Sequence, residues 1–178
     1  NRLYYAVWWE NARRPDAVHA NEVWSIALSS SGDFVPGTDK LEISMPVDVY
    51  NNNTVTNYSN PVSDISFGPA GTLLLAERTM LDDTTPNAHE ARALEYMLSG
   101  IGWIPTTNVF SIGVPGVSFG FPPLNVGASS AGGTDYDFGA GGRAWVTGDA
   151  LQLSPVNSYC LQGLPASGGS ILGSILID

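Results

Sequence analysis

The chain has 178 residues, of which 43% are hydrophobic and 13% are charged, and its net charge is −10. Nucleic acid is not an expected partner, because neutralising phosphates requires clustered cations and the chain has only 7 Lys and Arg residues. Its longest apolar runs fall far short of the roughly twenty residues of a membrane-spanning helix, so no span is predicted. The 20 Gly and 12 Pro residues favour short strands and tight turns, which predicts an all-β fold.

The first predicted strand, Arg2 to Ala6, aligns on Thr72 to Ala76 at an offset of 70 residues. Further along, Ser25 to Pro36 resembles Glu95 to Pro105, and both segments are typical of a strand, a Ser/Gly turn and an aromatic strand. The one helix candidate is Asn87 to Leu98, which overlaps the start of Glu95 to Pro105. Its second half alternates like a strand, so we expect at most one helical turn near Ala88.

The clearest repeat places Asp64 to Ala76 on Asp135 to Thr147 without gaps, at an offset of 71. Its identities pair Asp64 with Asp135, Phe67 with Phe138, Gly68 with Gly139 and Gly71 with Gly142. Each copy predicts a hairpin, in which the glycines adopt positive φ and the aspartates accept hydrogen bonds from neighbouring backbone amides.

These repeats predict three units, at residues 1–60, 61–126 and 127–178, each built from up to four antiparallel strands. The first unit lacks its opening strand and the third is expected to be incomplete. Repeated four-stranded sheets are typical of a β-propeller, so the fold is interpreted as a partial propeller of about two and a half blades. A β-sandwich is the alternative, although it gives no reason for the constant offset.

One segment, Val62-Ser-Asp-Ile-Ser-Phe-Gly-Pro-Ala-Gly-Thr-Leu-Leu-Leu-Ala-Glu77, resembles the blade motif of the NHL and glucose/sorbosone dehydrogenase-like propellers. In that group a hairpin of the form x-D-I-x-F-x-P-x-G-x-L-x-V-x-E recurs. The resemblance implies a propeller blade. It does not imply one activity, because the group includes quinone- and calcium-dependent dehydrogenases, lactonases and non-catalytic binding domains.

A polar cluster in the second unit is the candidate metal site. Oxygen atoms of Asp82, Asp83 and Glu90 would suit calcium, which accepts carboxylate, carbonyl and water oxygens in varied geometry. The spacing matches no EF-hand loop. In the alternative interpretation, Arg78 and Arg92 pair with these carboxylates and hold the loop in place.

No catalytic or cofactor-binding residue is predicted, and whether the chain is an enzyme stays open. His19 and His89 are the only histidines, and no G-x-S-x-G motif accompanies them. The single cysteine, Cys160, is expected to be a buried small hydrophobe. The tryptophans are expected to pack between sheets, with carbohydrate binding as the alternative; they are Trp8, Trp9, Trp24, Trp103 and Trp145.

The functional hypothesis is a structural or interaction segment of a secreted or cell-surface protein of bacterial type. Open strand edges at Leu3 to Trp8 and at Ser170 to Ile177 would pair with further copies of the chain or with the rest of its parent, giving oligomers or filaments. The alternatives are a fragment of a calcium-dependent propeller enzyme, sugar dehydrogenase-like or lactonase-like, and a carbohydrate-binding module.

Overall fold

A computed structural model describes residues 1–9, 19–46, 59–69, 71–119, 124–139, 141–151 and 158–178. Within these ranges the chain is all-β, as predicted: it forms three antiparallel sheets, a small two-stranded ribbon and one 3₁₀ turn at Ile171–Gly173. None of the described helical segments is long and apolar enough to cross a membrane. The residues near Ala88 form bends and isolated bridges, with no helical turn.

The strands follow one another along the chain within each sheet. The first sheet contains β1 (Arg2–Val7), β2 (Glu22–Ala27) and β3 (Lys40–Ser44). The second contains β4 (Val62–Phe67), β5 (Thr72–Glu77), β6 (Ala93–Ser99) and β7 (Gly102–Pro105). The ribbon is β8 (Ser118–Phe119) with β9 (Leu124–Asn125). The third sheet contains β10 (Ser130–Tyr136), β11 (Arg143–Gly148), β12 (Cys160–Pro165) and β13 (Ile175–Ile177).

The strand registers confirm the repeat between the first two sheets. Tyr4 lies opposite Ser25, and Leu74 lies opposite Glu95, so both strands of each pair match at an offset of 70. Strand β1 is therefore the counterpart of β5, and β2 the counterpart of β6. Among the described residues the first sheet has three strands, and none of these is a counterpart of β4. The third sheet has four strands within the described residues, and the incompleteness expected of the third unit stays a prediction.

The predicted alignment between the second and third sheets is correct for β5 with β11. For β4 with β10 it is wrong by two residues. The Gly68 N–H bonds to the Thr72 carbonyl and the Asp137 N–H bonds to the Arg143 carbonyl, so three residues lie in the first turn and five in the second. Asp135 pairs with Trp145 as Ser66 pairs with Leu74. Asp135 therefore occupies the register position of Ser66, because the longer turn shifts its strand.

The predicted role of the repeated glycines also needs correction. Of the four, only Gly71 has a positive φ, +74°. The neighbouring Gly141, at φ +82°, takes the left-handed position in the third sheet. Gly68 and Gly142 are needed for space: a Cβ would lie 2.2 Å from the Thr72 hydroxyl at Gly68 and 2.4 Å from the Asp137 carbonyl oxygen at Gly142.

The first unit also departs from the predicted second hairpin. Phe34, expected to begin an aromatic strand, makes only an isolated bridge with Leu28. The strand that pairs with β2 comes later, at Lys40–Ser44, with a bulge between Val23 and Trp24. In the second unit the aromatic strand forms where predicted, as β7 beside β6.

The three sheets pack face to face in chain order. We call the face of a sheet turned toward the following sheet its forward face, and the opposite face its rear face. Two clusters of buried residues fill the two interfaces. The first joins Val23, Ile43 and Tyr4 to the rear face of the second sheet at Leu73 and Leu75. The second joins the forward face of the second sheet to the rear face of the third, with Leu74, Ala93, Tyr136, Ala144, Val146 and Leu164 as members.

Candidate functional site

The most distinctive surface feature is the open edge of β1. Among the described residues, β2 is the only strand that pairs with β1, whereas β5 and β11 each pair on both sides. The strands that cover those equivalent edges are β4 and β10. Unpaired N–H and C=O groups along a strand are a template for another strand.

A groove runs beside this edge, in the place that the missing strand would occupy. Its volume is about 310 Å³, and its walls are Tyr4 to Ala6 on β1 and Val62 to Ile65 on β4. Both walls come from strands, with residues of β1 on one side of the groove and residues of β4 on the other.

The role of β4 in its own sheet shows what a strand does at this position. Besides pairing with β5, β4 lies against β10 through three side-chain hydrogen bonds. The Ser63 hydroxyl donates to the Gly132 carbonyl (2.8 Å), and the Ser66 hydroxyl donates to the Asp135 carboxylate (2.9 Å). The Asp64 carboxylate accepts from the Thr134 N–H (2.8 Å) and also from the N–H of its neighbour Ile65 (2.9 Å). The predicted backbone contacts of Asp64 and Asp135 are thus present, within strands.

No known protein family, curated protein or solved structure matches this chain. The likeness of residues 62–77 to a propeller blade motif therefore stays a prediction.

The three residues predicted to bind calcium lie in different surroundings. Asp82 is exposed in a turn, where its Oδ1 accepts hydrogen bonds from the Thr84 N–H (2.8 Å), the Thr84 hydroxyl (3.0 Å) and the Thr85 N–H (2.8 Å). The bond from the Thr84 backbone is the main cause that lowers the pKa of Asp82. Asp83 is also exposed, whereas Glu90 is buried. Within the described ranges no three His, Cys, Asp or Glu side chains form a group that could hold a metal ion.

The arginines predicted to hold this loop pair with other carboxylates. Arg92 forms a two-pronged ion pair with buried Glu77, with its Nη2 at 2.6 Å from Oε1 and its Nε at 2.8 Å from Oε2. Arg78 pairs with Asp149 of the third sheet at 2.8 Å, which ties two sheets together. Sequence reasoning missed Asp149, since a partner distant in the chain leaves no local pattern.

His89 belongs to a buried polar cluster between the second and third sheets. Its Nδ1 lies 2.7 Å from the Ser129 hydroxyl, which donates to the Val126 carbonyl at 2.6 Å. Burial lowers the pKa of His89, and the nearby Asp149 opposes this in part. His89 and Glu90 have positive φ values of 69° and 66°. Since His89 and Ser129 are both buried, the geometry is that of an internal brace between the two sheets.

The second histidine and the cysteine have simple surroundings. His19 is exposed and stacks on the Trp9 ring, with centroids 4.1 Å apart. Cys160 is buried and unpaired, as predicted, and burial raises the pKa of its thiol. A thiol held protonated and enclosed is a poor nucleophile.

Two further cavities are lined by tryptophans. A cleft of about 330 Å³ between the first two sheets is lined by Trp103 together with Glu42, Glu95, Tyr96, Thr106 and Asn108, among others. The ring of Trp103 packs edge-on against Tyr4 at 6.1 Å, as expected for a tryptophan between sheets. A second groove, of about 440 Å³, lies on the forward face of the third sheet around Trp145.

Proposed function

We propose that the chain is a structural or interaction segment of a secreted or cell-surface protein with propeller-like architecture, and that it associates through its open strand edges. The observation that carries the proposal is the unpaired edge of β1 with the groove beside it, set where the second and third sheets each have an inner strand. Among the residues that the structure describes, the same position is filled in two sheets and open in one.

The packing of the sheets supports a partial propeller. Each sheet follows the previous one in chain order at a repeat of about 70 residues, and β4 and β10 lie side by side as successive inner strands. A two-layer sandwich provides no equivalent for a third sheet stacked in the same direction. Low lysine content, acidic charge and abundant Gly support an exported protein.

The occupant that fits the groove is an extended segment of the β4 type. Pairing with β1 supplies main-chain hydrogen bonds, and alternate side chains give specificity, as in other cases of strand addition. Such a segment would project one face toward Ile65 and Tyr4, which pack on the core between the first two sheets. Either a further copy of the chain or the rest of the parent could supply this segment.

A synthetic peptide of residues 61–68 tests the proposal. We expect it to bind the chain and to slow hydrogen exchange of the Leu3 to Ala6 segment. The amides of this segment that point to the open edge would gain a hydrogen-bond partner from the added strand. The matched control is the same peptide with Ile65→Pro, which removes one N–H and disrupts strand pairing.

Equal binding of both peptides, or binding without protection of β1, would contradict strand addition. Absence of binding at peptide concentrations of about 1 mM would also contradict it, since strand addition weaker than this has no structural role.

Carbohydrate binding is a second candidate, favoured by one observation at the cleft between the first two sheets. The Trp103 Nε1–H is buried and has no hydrogen-bond partner among the described residues, while its ring lines the cleft beside Glu95 and Asn108. Aromatic rings with carboxylate and amide groups suit the apolar faces and hydroxyls of sugars.

Titration with neutral oligosaccharides tests this candidate through tryptophan fluorescence. A saturable change that is lost in Trp103→Phe and retained in Trp9→Phe would support it. The latter variant is a matched control, because Trp9 is the other tryptophan whose buried Nε1–H has no described partner. No change with the wild-type chain would remove this candidate.

A further inference from the structure

The three sheets place one residue each at the same register position on the forward face. Tyr4, Leu74 and Trp145 are counterparts, because they lie on β1, β5 and β11 and pair with equivalent positions of the next strand. Tyr4 packs on the second sheet, and Leu74 is fully buried against the third. Among the described residues, Trp145 has no following sheet to pack against.

The forward face of the third sheet is apolar and accessible. Trp145 lies flat across Gly163, where a Cβ would come within 2.5 Å of its ring. Leu161, Ile175 and Ile177 share this face, because they pair with Thr147, with Gly163 and with Leu161, respectively. Ile175 is 46% exposed and Ile177 is 53% exposed. This groove of about 440 Å³ is thus half of a sheet-to-sheet interface.

The rear face of the first sheet is the complementary half. In the second and third sheets the rear positions of β5 and β11 are fully buried, as at Leu73 and Ala144. The counterpart of Leu73 in the first sheet, Leu3, is 41% exposed, and Leu41 on the same face is 44% exposed. Tyr5, Trp24 and Ile26 complete this face by strand alternation.

Both faces carry acidic residues, and the forward face carries a basic residue as well. Asp135 lies opposite Trp145 and lines the groove of the forward face. Arg143 lies two residues before Trp145 on β11 and therefore shares the forward face with it. Its guanidinium donates to the Gly163 carbonyl at 2.9 Å. On the rear face, the Glu22 carboxylate accepts from the Trp24 indole N–H at 2.8 Å, and the Asp39 carboxylate accepts from the Tyr5 hydroxyl at 3.0 Å. Arg143 is opposite in charge to Glu22 and Asp39, which favours a forward-to-rear contact over a contact between two rear faces.

We propose that the forward face of the third sheet binds the rear face of the first sheet of a second copy, so that copies stack head to tail. The contact reproduces the two sheet interfaces already present inside the chain. For this reason the binding partner that we propose is another copy of the chain. Because the two faces differ, the interface is heterologous. The growing assembly therefore keeps one free face at each of its ends. Uncapped end units of repeat proteins are expected to associate in this way.

Sedimentation velocity over a range of concentrations tests head-to-tail stacking. We expect the wild-type chain to form species of increasing mass, and we expect Trp145→Arg and Leu41→Glu, on opposite faces, each to raise the concentration for half-association at least about tenfold. An equimolar mixture of the two variants still offers one intact pair of faces. It should therefore form one-to-one dimers and nothing larger.

Matched controls separate this effect from a general loss of folding. Phe138→Arg and Ile101→Glu make similar changes at exposed apolar residues in turns, outside both faces, and should associate like the wild type. Ile177→Arg provides a second forward-face variant in case Trp145→Arg does not fold. Far-UV circular dichroism of each variant establishes folding.

Three results would overturn the proposal. A wild-type chain that stays monomeric up to roughly 1 mM has no such interface. Dimers of Trp145→Arg alone would show a rear-to-rear contact instead. A mixture that stays monomeric would show that the two faces are not complementary. Strand addition at β1 is measured separately, with the peptide of residues 61–68 and the Trp145→Arg variant, so that either proposal can fail without the other.

Discussion

The middle sheet and the two end sheets contain equivalent strands in different surroundings. Leu73 and Leu74 of the middle sheet are fully buried on its two faces, whereas their counterparts Leu3 and Trp145 in the end sheets are partly exposed. The residues at these positions are apolar in all three sheets. Burial is therefore set by the place of a sheet in the stack, and the apolar end faces are interfaces without a described partner.

The middle sheet also contains the buried ion pair of Glu77 with Arg92. Glu77 is 1% exposed, and its counterparts at the end of β1 and of β11 are the uncharged Val7 and Gly148. In the first sheet the pair of Lys40 with Glu42, at 2.8 Å, joins a lysine side chain that is 57% exposed to a glutamate side chain that is 2% exposed. The contrast predicts that changes of the same kind have unequal effects on stability.

The largest effect is expected for Glu77→Gln. This change leaves the Arg92 guanidinium partly buried without its carboxylate, which lowers the free energy of unfolding by about 3–5 kcal/mol. Lys40→Gln is the matched control in an end sheet. The lysine is largely exposed, and Glu42 keeps its contacts with Arg2 and with the Ser25 hydroxyl, so the loss should stay below about 1 kcal/mol. Urea denaturation measures both, and equal losses would break the contrast.

A pair of leucines isolates the effect of burial at constant chemistry. Leu73→Ala should lower the free energy of unfolding by about 2–5 kcal/mol, because it removes fully buried methyl groups from the core between two sheets. Leu3→Ala, at the same register position in the first sheet, should lower that of the monomer by less than about 1 kcal/mol. Losses of similar size would mean that the rear face of the first sheet is already covered.

The sequence predicted the parts of the fold that depend on local pattern. The all-β class and the hairpin of β4 with β5 both follow from strand and turn residues at a constant spacing. The alignment of β10 was wrong by two residues because the Gly-rich turn from Phe138 to Gly142 is longer. A shift of two residues preserves which side chains face the core, so the apolar pattern cannot reveal it.

The candidate surfaces were predictable only in part. The open edge of β1 followed from the absent repeat strand, whereas the groove beside it depends on how β4 lies against β1 in three dimensions. The exposed face around Trp145 was not predicted, since the pattern of β11 matches that of the buried β5. Local sequence specifies an apolar face and leaves its partner unspecified.

A smaller effect is expected in the pH dependence of stability. Burial lowers the pKa of His89, so the unfolded chain binds a proton more readily than the folded chain. Stability is therefore greatest above the ordinary histidine pKa of 6.5 and falls as the pH drops below it. The Asp149 carboxylate, which pairs with Arg78, acts against this lowering of the His89 pKa.

His89→Gln should flatten the change in melting temperature between about pH 7 and pH 5, in the range where histidines titrate. The matched variant His19→Gln, at an exposed position, should retain the slope of the wild type. A slope that is unchanged in His89→Gln would assign the pH dependence to carboxylates elsewhere.

The smallest effect is expected at the exposed turn of Asp82. Asp82→Ala removes an acceptor from the Thr84 and Thr85 N–H groups, which water can replace, so the melting temperature should fall only slightly and Asp83→Ala should change it less. Because Asp82 and Asp83 are exposed while Glu90 is buried, we expect millimolar calcium to leave the melting temperature of the wild type unchanged. A calcium-dependent rise that disappears in Asp82→Ala would contradict this and would favour the calcium-dependent alternative, since a ligand stabilises the state that binds it.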